Sequence, residues 1–190
     1  MPILPQEVSL HPEMLLDSDA SSEGTLGVLD RRWWVIHTRA RQEKALAREL
    51  LRYEIPFYLP LVRKNSIHRT RRIRAFVPLF SGYLFLYGSE PERARSLTTN
   101  RIARALPVHD PERLEHDLRQ IRQLIAANVP LTVEGRLGPG DRVRVRFGPL
   151  AGIEGTVLAR RGGLRLMVAI DFLQQGASVE IDDFMLEPTG

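Results

Sequence analysis

The chain has 190 residues, 43% of them hydrophobic and 26% charged, enough apolar matter for one large or two small folded domains. It contains no cysteine, which excludes disulfide frameworks and Cys-ligated metal sites, and no apolar run approaches the ~20 residues that a membrane-spanning helix requires. Residues 1–30 hold six acids (Glu7, Glu13, Asp17, Asp19, Glu23 and Asp30) and no Lys or Arg, so the rest of the chain sets 27 bases against 17 acids, a formal +10. A basic body of this kind attracts nucleic acid or another polyanionic assembly. The start of the chain lacks a basic segment followed by an apolar one, so no secretory signal is expected; a reducing cytoplasm suits the cysteine-free composition.

In chain order, residues 1–31 show no sustained period and are punctuated by Pro2, Pro5, Pro12, Gly24 and Gly27. They read as a mobile tail. Trp33-Trp34-Val35-Ile36-His37-Thr38 is an aromatic and β-branched run, the mark of a buried strand. A helix is predicted from about Ala40 to Tyr53, with Leu46, Leu50 and Tyr53 on one face, and Pro56 closes it. Phe57 to Val62 reads as an edge-like strand broken by Pro60. The next twelve residues, 63–74, include Arg63, Lys64, Arg69, Arg71, Arg72 and Arg74 and no acid, and are predicted to form an extended hairpin arm. Phe76 to Tyr87 is expected to be one long strand with bulk on both faces, hence covered on both.

Ser89 and Glu92 stand at capping-box spacing and open a short helix. A strand over Ile102–Val108 follows. Asp110-Pro111 then starts a helix with the stripe Leu114, Leu118, Ile121, Ile125, ending near Asn128. Residues 129–137 read as a linker. From Gly138 on, short β-like runs alternate with glycines, the texture of a small all-β barrel. There Gly148 and Gly152 should bracket a tight turn, and Gly155 should mark a sharply bent strand. The fold class is therefore α+β, an antiparallel sheet with helices over 32–128, followed by a small SH3-like all-β barrel over 138–190.

Two motif sets resemble the NusG family of transcription elongation factors. Trp33-Trp34-Val35-Ile36-His37-Thr38-Arg39 and Pro78-Leu79-Phe80-Ser81-Gly82-Tyr83-Leu84-Phe85 resemble the family's NGN domain. Gly140-Asp141-Arg142-Val143-Arg144-Val145 and Gly148-Pro149-Leu150-Ala151-Gly152-Ile153-Glu154-Gly155-Thr156-Val157 resemble its KOW domain. The resemblance implies a regulator that binds RNA polymerase and modulates pausing, termination or antitermination. It implies that His37, Phe80, Tyr83 and Phe85 meet the coiled-coil tip of the polymerase clamp, and that Thr98 and Thr99 touch the lobe opposite. The basic hairpin, with Arg39, would face upstream or non-template DNA. In the KOW domain, Phe172 and Leu173 would meet a ribosomal protein or a termination factor. Ser178-Val179-Glu180-Ile181-Asp182 departs from the housekeeping ending and points to a specialised paralog of the RfaH kind, though the Gly and Val pattern favours a stable barrel over a refolding one.

The other reading of the same basic surface is a ribosome- or RNA-associated KOW protein with no polymerase role. His11, His37, His68, His109 and His116 show no metal-ligand spacing. Neither a phosphate-cradling G-x-x-x-x-G-K nor a G-x-G-x-x-G is present. The chain is thus expected to be a monomeric cytoplasmic binding protein, with no enzyme activity, no cofactor, no metal and no membrane partner.

Overall fold

The structure, a computed structural model, describes residues 7–17, 30–68, 71–134, 140–160 and 163–189. It falls into two compact units, Met1–Pro111 and Glu112–Gly190. In the first, the elements run β1 (Leu10–His11), β2 (Arg32–Thr38), α1 (Glu43–Arg52), β3 (Phe57–Tyr58), β4 (Leu61–His68), β5 (Arg71–Pro78), β6 (Tyr83–Gly88), α2 (Glu90–Leu97) and β7 (Ile102–Pro107). Five of the strands form one antiparallel sheet in the order β1-β3-β6-β2-β7, while β4 and β5 pair as a separate two-stranded ribbon.

The pleat sorts the central strands into two faces. On one, Trp34 and Ile36 of β2, Leu84 and Leu86 of β6, and Phe57 of β3 pack with Leu46, Ala47 and Leu50 of α1. The helix therefore uses the predicted stripe, and each fully buried Leu, Ile or Phe contributes roughly 1.5–3 kcal/mol. Trp34 also donates its indole N–H to the Gly88 carbonyl at 3.1 Å, so its one polar atom is satisfied. The capping box holds: Ser89 accepts from the Glu92 amide, and the Glu92 carboxylate accepts from the Ser89 amide at 2.8 Å.

Two expectations fail here. Residues 7–17 do not form a tail. β1 pairs with β3, the Leu59 amide donates to the Ser9 carbonyl at 2.6 Å, and Leu15 and Leu16 are buried. Strand pairing and two buried leucines thus tie down a short segment that shows no period in the sequence. Residues 1–6 and 18–29 lie outside the described residues. The long strand over Phe76–Tyr87 is in fact two strands, because the chain turns after Pro78, with Gly82 at φ 83°, before β6 begins.

The second unit holds α3 (Pro111–Ala126), β8 (Thr132–Glu134), β9 (Arg142–Val145), β10 (Glu154–Arg160), β11 (Gly163–Ile170), β12 (Gln175–Ile181) and β13 (Leu186–Pro188), with 3₁₀ turns at Asp171–Leu173 and Asp183–Met185. The six strands make one antiparallel sheet in the order β13-β9-β10-β11-β12-β8. Val143, Val145, Ile153, Leu166, Val168, Ile170 and Val179 are among its buried residues. The all-β texture was read correctly, but the linker was not. Thr132, Val133 and Glu134 pair with Ser178, Ala177 and Gly176, so this stretch of 129–137 is an edge strand. Helix α3 starts at the expected Pro111 and buries Leu114, Leu118 and Ile121. It clusters with the second unit, whereas the sequence reading grouped it with 32–128.

Two of the three glycines act as expected. Gly148 and Gly152 take φ of 90° and 83° around the turn, and the Ala151 amide donates to the Gly148 carbonyl at 3.0 Å. Gly155 does a different job: a Cβ there would stand 2.4 Å from the Met167 carbonyl oxygen of the neighbouring strand.

Candidate functional site

On the sheet face away from α1, register aligns residues in rows across three strands. Val35 lies opposite Phe85 and Leu106, and His37 lies opposite Tyr83 and Arg104. Along the β2 and β7 positions of this face exposure rises towards one end, whereas on β6 both Tyr87 and Tyr83 are half-buried. Trp33, Val35, Tyr58 and Phe85 are buried, His37 and Tyr83 are half-buried, and Arg104 is exposed. The His37 and Tyr83 rings stand 5.2 Å apart at 33°, a tilted and half-buried pair. The turn before β6 holds them. The Gly82 amide donates to the Glu43 carboxylate at 2.6 Å, and its carbonyl accepts from the Thr38 amide at 2.8 Å. A Cβ on Gly82 would stand 3.5 Å from the His37 ring, so the turn runs alongside it. Glu43 is buried at the start of α1, so its bond ties the helix to the turn beside the ring pair.

Of the four aromatic positions expected to meet a partner, the structure brings His37 and Tyr83 together and removes the others. Phe85 is 0% exposed and Phe80 is 1% exposed. Phe85 sits mid-strand between Val35 and Tyr58, and Phe80 is drawn in by the Pro78–Gly82 turn. Both rings belong to their own domain's interior, which corrects the expectation that they are left for another molecule. Thr98 and Thr99 follow α2, and their hydroxyls donate to the Arg95 and Ser96 carbonyls, both at 2.7 Å. They satisfy the last carbonyls of the helix. Arg39 is exposed at the end of β2.

The basic arm is the β4–β5 ribbon. Arg63 and Lys64 are exposed, and register sets them opposite Phe76 and Ala75. Arg71, Arg72 and Arg74 are strand positions of β5, opposite His68, Ile67 and Asn65. Arg69 lies outside the described residues. A two-stranded ribbon offers its own basic positions apart from the main sheet, which suits contact with a phosphate backbone.

In the second unit, Phe172 is 38% exposed and Leu173 half-buried on the 3₁₀ turn after β11. This turn is gripped by α3, as Asp117 accepts from the Asp171 amide at 2.9 Å. Gln120 and Gln123 donate to the Glu154 and Ala151 carbonyls at 3.4 and 2.8 Å. Burial pushes the Asp117 carboxyl above its usual range, against the opposing pull of the Asp171 amide and Arg113. The Glu154 carboxyl is held low by its bond to Arg144. A separate apolar hollow lies among Val129, Pro130, Leu150, Val179, Ile181 and Met185; it is formed by segments distant in sequence, and no local pattern announced it.

The Asp117 shift has a pH consequence. A carboxyl raised in the fold favours the protonated state, so its contribution is complete below the unfolded value and is lost as pH rises through the folded value. Asp117→Asn, which cannot ionise, should therefore gain on the parent chain as pH is raised from 3 to 7. Urea unfolding at both ends of that range checks it, and a constant difference would show that the carboxyl is unperturbed.

Among the described residues no group of three His, Asp or Glu side chains could hold a metal ion, and no helix is long and apolar enough to cross a membrane. No curated protein matches the chain. One family model does match, that of transcription termination factor nusG, over residues 31–122, just under half of the chain. The matched segment contains the whole of β2 through β7, the turn at Gly82 and the His37–Tyr83 pair. Residues 31–122, which run from just before β2 into α3, are thus similar to the NusG family.

Proposed function

We propose that this chain is a transcription elongation regulator that binds RNA polymerase and modulates pausing and termination, in the direction of antitermination. What carries the reading is the half-buried His37–Tyr83 pair on the segment that matches the NusG family, at the end of the sheet face that runs out to the exposed Arg104. Aromatic side chains at the centre of a contact commonly dominate its energy. In this reading the pair meets the clamp coiled coil, Thr98 and Thr99 approach the opposite lobe, and Arg39 with the β4–β5 ribbon lies along upstream or non-template DNA. The second unit is a KOW module that presents Phe172 and Leu173 to a ribosomal protein or a termination factor. The protein acts by binding rather than catalysis, as a cytoplasmic monomer and a specialised paralog of the RfaH kind.

Tyr83→Ala should weaken binding to core RNA polymerase about thirtyfold, as expected for an aromatic hot spot, and leave the urea midpoint nearly unchanged. In vitro transcription with purified core enzyme reads the activity: the parent chain should shorten pauses and increase read-through, and Tyr83→Ala should not. If the parent chain binds ribosomal RNA and no polymerase, the alternative of an RNA-associated KOW protein takes its place.

A further inference from the structure

The row that carries Tyr83 and His37 continues onto β7 at Arg104. Arg104 is exposed, and its guanidinium has no hydrogen bond or ion pair among the described residues. The same holds for Arg39 and Arg41 at the end of β2, where the Arg39 amide bonds the Arg101 carbonyl and so stays beside β7. Several other arginines of this unit are paired with acids: Arg31 with Glu92, Arg32 and Arg93 with Glu90, Arg48 with Glu7. Glu43, whose carboxylate reaches the turn beside the ring pair, is buried and accepts from the Gly82 amide. This end of the sheet thus combines an apolar ring pair with uncompensated positive charge.

Resting on the polymerase-binding reading above, we infer that Arg104 is a specificity-determining contact of that surface and that the partner is an acidic protein segment, with a carboxylate set against Arg104 beside an apolar patch that covers His37 and Tyr83. A guanidinium offers paired donors that match a carboxylate, and desolvation by the adjacent rings strengthens the pair. Nucleic acid fits this row less well. The two rings lean on one another and both are half-buried, so neither stands out as an open platform on which a base could stack.

The test uses the full chain and purified core RNA polymerase, measured at two salt concentrations. Arg104→Glu should lower affinity about tenfold or more, and Arg104→Gln by less, because reversal adds repulsion to the lost pair. Arg104→Gln should also flatten the salt dependence, whereas Tyr83→Ala should lower affinity and leave that slope unchanged. If Arg104→Glu binds polymerase like the parent while Tyr83→Ala is weakened, the inference is overturned and the polymerase reading stands. If the parent chain does not bind polymerase, both fall. If Arg104→Glu lowers affinity for a single-stranded DNA oligonucleotide as much as for polymerase, the partner is a phosphate backbone and the inference is overturned.

Discussion

Phe85→Ala should destabilise the first unit by about 3–5 kcal/mol, the range for removing a fully buried phenylalanine and leaving a cavity. Phe85 is 0% exposed and lies opposite Val35 and Tyr58, which are themselves almost completely covered. The loss should appear in urea unfolding followed by tryptophan fluorescence, since Trp33 lies on the same sheet face and Trp34 on the other. Two strand positions away, Tyr83 gives the opposite pattern, with stability kept and polymerase binding lost. If Phe85→Ala left the unfolding midpoint in place and abolished binding, the ring would be a contact after all. The comparison separates core from surface on one strand, where sequence alone assigned both rings to the surface.

Gly155→Val should destabilise the second unit by about 3 kcal/mol or more, at or above the usual cost of overpacking a close-fitted interior. The obstacle is backbone: an added Cβ would stand 2.4 Å from the Met167 carbonyl oxygen, and β10 and β11 are paired there through Thr156 and Met167. No side chain can rotate away to relieve it. Gly152 is a useful contrast, with open space around a Cβ but a φ of 83°. Gly152→Ala should cost about 1–2 kcal/mol through left-handed strain alone. Thermal unfolding of the two variants, followed by far-UV circular dichroism, checks the order. Equal midpoints would mean that strand crowding at Gly155 is relieved by a shift of the sheet.

Elements with a strong local signal were legible in the sequence. The Trp-rich strand, the α1 stripe, the Ser89–Glu92 capping box and the Asp110-Pro111 helix start depend on residues within a turn or two of each other, and each stands where the pattern put it. What sequence missed depends on pairing between distant segments. The three residues of β8 look like linker because an edge strand so short has no period to read, and only β12 makes it a strand. Phe80 and Phe85 were placed on a surface by the family resemblance, which carries no burial: Phe80 falls in the Pro78–Gly82 turn, and Phe85 is covered because Val35 and Tyr58 flank it across the sheet. Within the site, His37 and Tyr83 were found from a motif. Arg104 was not, because only the β2–β7 register brings a residue 67 positions further along the chain into the same row.

The pairing of Leu10 and His11 with Tyr58 and Phe57 sets a limit on how small a working fragment can be cut. A piece beginning at Trp33, where the family motif begins, would strip β3 of its outer neighbour and leave its amides and carbonyls as an adhesive border for other chains. It would also discard Leu15 and Leu16 and the Glu7 partner of Arg48. Fragments and fusions meant to stay dispersed in solution should keep everything from Glu7 onward.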